Sequence, residues 1–174
     1  MNTWRKAPTI RQAEPHDKPV LKDIIDLSFP RFFRFFAVDS LKSEEGKVLV
    51  SDHEGVVVGF AKLVAFFIDK RKYGCILWLA VHPNQRRKGI ASALVKAGFE
   101  SLKRDGAEAV FASIQRRNTA SLATFAREGF TTIGFVGLWQ LFIWRIFQFY
   151  SDIWYAPGEI VLVRNQPSST VIGA

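Results

Sequence analysis

Val81-His82-Pro83-Asn84-Gln85-Arg86-Arg87-Lys88-Gly89-Ile90-Ala91 is the stretch that decides the fold. A buried strand ends at Val81, a turn containing Pro83 follows, and Gly89 opens a helix. From Gly89 to Arg104 the apolar residues Ile90, Leu94, Val95, Phe99 and Leu102 recur at three- and four-residue steps, the period of one helical face. Lys103 and Arg104 suit the negative end of that helix, and Gly106 suits its termination. The first turn of a helix leaves backbone N–H groups unpaired and carries positive potential, so an anion such as a pyrophosphate can sit there. Gly89 lacks a side chain and Ala91 has a small one, which lets a phosphate approach the backbone; Arg86, Arg87 and Lys88 add charge.

Upstream, Thr9 to Ala13 reads as a short strand, and Asp17 is placed to cap a helix running to about Ser28, where Pro30 ends it. Phe32-Phe33-Arg34-Phe35-Phe36 carries no clear period, and a short helix is expected near Ser40 to Glu45. Lys47–Ser51 and Val56–Ile68 are β-rich runs joined by Asp52-His53-Glu54-Gly55, a hairpin turn, and Cys75–Val81 is the third successive strand. Downstream, Ala109–Ile114 is a strand, Asn118 caps a helix that ends before Gly129, and Phe130–Phe135 and Glu159–Arg164 are the last two strands. The pattern predicts one α/β domain over residues 1–165, a mixed, mostly antiparallel sheet of about six to seven strands flanked by helices. A mobile tail is expected over 166–174.

The chain of 174 residues fits a single domain, and 48% hydrophobic against 23% charged residues supplies a core. The net charge of +8 points to an anionic partner. Its groups are short and separate, with no long basic tail and no broad stripe interleaved with aromatics, which makes a nucleic-acid-binding module a distant alternative. The lone Cys75 excludes an internal disulfide and a cysteine zinc cluster, so no metal is expected; the composition suits a cytoplasmic location, with no signal-peptide core and no transmembrane run.

Arg86-Arg87-Lys88-Gly89-Ile90-Ala91 resembles the cofactor motif Arg/Gln-x-x-Gly-x-Gly/Ala of the GCN5-related N-acetyltransferases, known as GNAT proteins. Leu79-Ala80-Val81-His82-Pro83 is similar to the family's strand leading into that loop, and Asn118-x-x-Ser121-x-x-x-Phe125-x-x-x-Gly129-Phe130 fits its second motif in register. The resemblance runs from about Val48 to Phe135. It implies acetyl-coenzyme A as cosubstrate, held by Leu79, Ala80, Val81, Arg86, Arg87, Lys88, Gly89, Ile90, Ala91, Ser92, Asn118, Ser121 and Phe125. The resemblance also implies pantetheine lying against the splayed end of Trp78-Leu79-Ala80-Val81, pairing with an exposed strand edge through its amides. The residue matching Asn118 contacts the pantetheine arm in the family, and it can cap a helix as well.

The expected reaction is acetyl transfer to a primary amine by direct attack in a ternary complex, because no nucleophile stands out for an acetyl-enzyme. Where the family commonly has a tyrosine as general acid this chain has Phe125, which has no exchangeable proton, and Ile76-Leu77-Trp78-Leu79 offers none of the glutamates that some members carry. A non-catalytic coenzyme-A-binding protein is therefore the first alternative. Tyr150 and Tyr155 are candidate substitutes for the missing acid, in a segment expected to return beside the thioester. His53, Glu54 and His82 read as turn or surface residues, and Cys75 as core.

Between the last two strands the stretch Trp139–Tyr155 departs from the family's short connection. On a helical wheel Phe142, Ile143, Ile146, Phe147, Phe149, Tyr150 and Ile153 share one face, which predicts an extra amphipathic helix before the last strand. Such a helix can cover the sheet, support a homodimer, attach to a membrane surface or, with Phe32, Phe33, Phe35 and Phe36, wall an apolar acceptor pocket.

Overall fold

A computed structural model of the chain describes residues 8–43 and 45–165. The expected mobile tail lies outside the described residues. Seven strands form one sheet: β1 (Thr9–Gln12), β2 (Lys47–His53), β3 (Val56–Ile68), β4 (Arg71–Val81), β5 (Ala109–Gln115), β6 (Thr131–Thr132) and β7 (Glu159–Asn165). Their order is β1-β2-β3-β4-β5-β7-β6, and every neighbouring pair is antiparallel except β4 with β5. The helices are α1 (Lys18–Ser28), α2 (Arg31–Lys42), α3 (Ile90–Arg104), α4 (Thr119–Arg127), α5 (Phe135–Phe142) and α6 (Ile146–Asp152). The mixed, mostly antiparallel sheet flanked by helices is as the sequence predicts.

Alternation along the strands sorts the helices onto two faces. Ile76 of β4 and Val110 and Ala112 of β5 point to the side of α3 and α4, where they meet Leu94, Val95, Phe99 and Phe125. Cys75 and Phe111 point the other way and meet Leu138, Phe142, Ile146 and Phe149 of α5 and α6. Phe60 and Ala80 pack with Leu21, Ile24 and Ile25 of α1 and Ala37 of α2. Leu79 and Val81, which flank Ala80, pack on the α3 side, so α1 and α2 share the face of α5 and α6.

Several expectations are corrected. The aromatic run Phe32–Phe36 is helical, inside α2, and this helix replaces the one expected near Ser40 to Glu45. Its fully buried residues are only Ala37 and Ser40, small side chains that give no apolar signal. β4 begins at Arg71 rather than Cys75, because Asp69 and Lys70, both with positive φ, already make the hairpin turn. Only Thr131 and Thr132 of the expected Phe130–Phe135 strand pair in the sheet; α5 starts directly after Gly134.

The single helix expected over Trp139–Tyr155 is broken into α5, a 3-10 turn at Ile143–Arg145 and α6. Phe142 and Phe149 stack with ring centroids 4.5 Å apart. Residues seven apart on a straight helix are separated by about 10 Å along its axis, so the break at Ile143, with φ of 41°, brings the two rings together. Ile143 and Phe147, expected on the buried face, are 49% and 83% exposed.

Asp17 does not cap α1 with its side chain. It is 3% exposed and accepts hydrogen bonds from Arg11 Nη1 at 2.7 Å and from the Glu14 backbone N–H at 2.7 Å. The Arg11 guanidinium, helped by that backbone donor, overcomes the effect of burial and holds the carboxyl at about 2, below its ordinary 3.8. A carboxyl depressed in the folded state contributes stability above its unfolded value, and that contribution disappears as pH falls through the folded one. Urea unfolding should therefore show about 2 kcal/mol lost between about pH 4 and pH 2 in the wild type and no such loss in Asp17→Asn. Equal pH dependence in the two proteins would uncouple this pair from folding.

Candidate active site

The site begins where β4 leaves β5. The parallel pairing of these strands is confined to Gly74↔Val110 and Cys75↔Phe111. Beyond Cys75 the strands part, while β4 stays paired with β3 up to Val81↔Gly59. The register of β3 and β4 shifts between Lys62 and Leu63, which face Trp78 and Ile76 and leave Leu77 as the extra residue of a bulge. A bulge bends the strand that carries it, which accounts locally for the divergence. The edge of Ile76–Val81 that faces β5 thus has no strand partner among the described residues, and it can take an extended amide-bearing ligand as an added strand would be taken.

This open edge runs directly into the turn that contains the basic triplet. A 3-10 turn at Pro83–Gln85 is capped by His82, whose Nδ1 accepts from the Asn84 N–H at 3.3 Å, so His82 has the structural role expected of it. Gly89 is the N-cap of α3 with φ of 79° and has no side chain to satisfy the first-turn N–H groups. A Cβ built at Gly89 would meet nothing within 4 Å, so the approach to these donors is open. The donor set is suited to a pyrophosphate. The triplet is less uniform than its sequence suggests. Arg86 Nε donates to Val81 O at 3.2 Å and ties the turn to the strand end, Lys88 Nζ donates to Gln85 Oε1 at 2.7 Å, and Arg87 is exposed with positive φ.

Leu79, Ala80, Val81 and the residues from Arg86 to Ser92 therefore follow one another from the cleft to the helix end. Ala91 and Ser92 are half-buried and Ile90 is buried. Ser92 Oγ donates to Glu128 Oε1 at 2.5 Å, which links the start of α3 to the end of α4. Asn118 caps α4, its Oδ1 accepting from the Ser121 N–H at 3.1 Å. Phe125 is 2% exposed, with its ring edge-on to Phe130 at 5.0 Å, in the core shared by α3, α4 and the sheet.

On the opposite face of the cleft, Tyr150 and Tyr155 pack together with ring centroids 4.7 Å apart. They border the same cluster as Leu77 and Cys75. Burial, and then Tyr155, push the Tyr150 phenol up from its ordinary value. Cys75 is fully buried and its thiol is pushed well up by that burial, so it stays a core thiol. His53 ends β2 and Glu54 sits in the hairpin turn with φ of 53°, both far along the sheet from β5. Of the α2 aromatics, Phe33 reaches Trp78, with centroids 6.4 Å apart, whereas Phe32 and Phe35 are exposed.

Sequence reasoning missed two polar groups here. Glu159, the first residue of β7, accepts through Oε2 from Ser113 Oγ at 2.5 Å and from the Ala156 N–H at 3.0 Å. Glu159 and Ser113 lie far apart in the chain and have no motif of their own; only the pairing of β5 with β7 joins them.

The chain is similar in fold to several solved acetyltransferases. Against a Bacillus subtilis acetyltransferase in complex with coenzyme A the TM-score is 0.66 at 17% identity, covering 91% of this chain and 99% of the other. Against the ribosomal-protein-S18-alanine N-acetyltransferase of Escherichia coli it is 0.63 at 18% identity, covering 91% and 93%. A glucosamine N-acetyltransferase region in a fungal multi-domain β-N-acetylglucosaminidase gives 0.64 at 19% identity; 74% of this chain spans 17% of that much longer protein. No curated protein matches the chain. The model of the acetyltransferase (GNAT) family matches residues 8–130, most of the open cleft and both motifs included, and the chain belongs to that family.

Proposed function

We propose that the protein transfers an acetyl group from acetyl-coenzyme A to a primary amine by direct attack in a ternary complex. The observation that carries this reading is the continuous path from the unpaired edge of β4 to the uncapped start of α3 at Gly89. Arg86 to Ser92 would hold the pyrophosphate, Leu79 to Val81 the pantetheine amides, and Asn118 and Ser121 would border the arm from α4, with Phe125 in the core behind them. Several solved relatives of the same fold contain coenzyme A or acetyl-coenzyme A. The acyl donor and the amine would meet where β4 and β5 part, and positioning there removes several kcal/mol or more of the barrier. Tyr150 and Tyr155 are the proposed proton donors near the leaving thiolate. The exposed side of α5, the turn at Ile143–Arg145 and α6, with Trp144 at 84% and Phe147 at 83% above all, is the surface we assign to self-association.

A non-catalytic coenzyme-A-binding role is the second reading, favoured by Phe125 in place of the family's acid. The test is release of free thiol from acetyl-coenzyme A with a panel of amines, run on the wild type and Phe125→Tyr. Burial against Phe130 predicts that the added hydroxyl costs about 1–3 kcal/mol in urea unfolding without raising turnover. A rise of up to about 100-fold in turnover would instead place this ring beside the sulfur and make the wild type a weakened enzyme. Release by the tyrosine variant alone would favour the non-catalytic reading of the natural chain.

A further inference from the structure

Glu159 sits at the point where the cleft opens. It pairs with Gln115 in the register of β7 on β5, and it shares the strand parity of Val161 and Val163, whose side chains lie on the face of α5 and α6. Its carboxylate reaches across to Ser113, two residues beyond the last β4–β5 pair. Cys75, the β4 member of that last pair, is near enough for the carboxylate charge to add to the effect of burial on its thiol.

The two carboxylate oxygens are in different situations. Oε2 takes both hydrogen bonds, from the Ser113 hydroxyl at 2.5 Å and the Ala156 N–H at 3.0 Å. Oε1 accepts none among the described residues, and no cation pairs with the group. The groups that face it are Ser113 of β5, Cys75 of β4, and Tyr155, whose hydroxyl donates to the Glu159 carbonyl at 3.5 Å; Tyr150 of α6 packs on Tyr155. The carboxylate is therefore half-buried, fixed through one oxygen and available through the other, as a general base must be.

We propose that Glu159 is the general base of the transfer, with Ser113 as the residue that positions it. This inference rests on the acetyltransferase reading above. As the amine nitrogen attacks the thioester carbon, the C–N bond forms and the C–S bond breaks. One proton of the amine passes to Glu159 Oε1, the coenzyme leaves as thiolate and takes a proton from Tyr150 or Tyr155, which regains one from solvent, and Glu159 then releases its own proton to solvent.

Glu159→Gln keeps an oxygen that can accept from Ser113 and Ala156 but removes the base. Thiol release from acetyl-coenzyme A is followed with spermidine, phenethylamine and an unblocked alanyl peptide, and with water alone as acceptor. Coenzyme A binding is measured separately by calorimetry. The expected result is a fall in kcat/KM of about 10²- to 10⁴-fold at neutral pH, narrowing as pH rises, with coenzyme A affinity unchanged. Ser113→Ala should lose less and keep the wild-type fall of kcat/KM at low pH, because the base is still present. A Gln variant within threefold of the wild type, or one whose loss is the same at every pH, overturns the assignment. If Gln prevents folding, Glu159→Asp decides: a slower enzyme that keeps the low-pH fall supports the base, and an unchanged rate overturns it. Wild-type protein that binds coenzyme A but speeds thiol release to no acceptor, water included, also overturns it while leaving the binding site intact. Failure to bind coenzyme A at all would instead remove the acetyltransferase reading itself.

Discussion

Gly89→Glu is expected to lower the affinity for acetyl-coenzyme A by about 100-fold or more, equivalent to at least about 2.7 kcal/mol of binding. The carboxylate would project from the N-cap of α3 into the space that is open above Gly89, where a Cβ meets nothing within 4 Å. It would compete with a pyrophosphate for the first-turn N–H groups and repel it. Gly89→Ala is the control. With φ of 79° an alanine here is strained by about 1–2 kcal/mol, which lowers stability, yet its methyl carries no charge and should leave most of the affinity intact. Calorimetric titration of the three proteins separates the effects. Wild-type affinity in a folded Gly89→Glu protein would mean that the coenzyme binds elsewhere.

Phe149→Ala is expected to cost about 3–5 kcal/mol of stability in urea unfolding. Phe149 is fully buried and touches four rings: it stacks on Phe142, meets Phe111 edge-on at 4.8 Å and lies beside Phe66 and Tyr150. Removing it leaves a cavity between α5, α6 and the sheet that aromatic neighbours in fixed rotamers fill poorly. Phe147→Ala, two residues away and almost fully exposed, should change stability by about 0.5 kcal/mol or less. Similar costs at the two positions would show that α6 does not dock on the sheet through this face.

The same contrast separates what the chain shows locally from what it does not. In the sequence Phe147 and Phe149 are equal aromatics, and a straight wheel buries both. The break at Ile143 turns one outward and lays the other on Phe142, a contact between residues on two helices. α2 escaped detection for a related reason. Phe33, Ala37, Val38 and Leu41 face α1 and the sheet at helical spacing, but the exposed Phe32, Phe35 and Phe36 beside them make the run apolar on both sides and hide that period.

The sequence by itself determined β3 over Val56–Ile68, the turn from Val81 to Ala91, and the helices that begin at Ile90 and Thr119. Each depends on signals a few residues apart: strand composition, a proline turn, a glycine able to take positive φ, an asparagine cap. The family resemblance implied a splayed end of β4, but only the tertiary structure decided where β4 leaves β5 and that Glu159 lies against Ser113. Those features arise from the pairing of strands that are distant in the chain, and a strand's own residues do not state which neighbour it will have or where that pairing will stop.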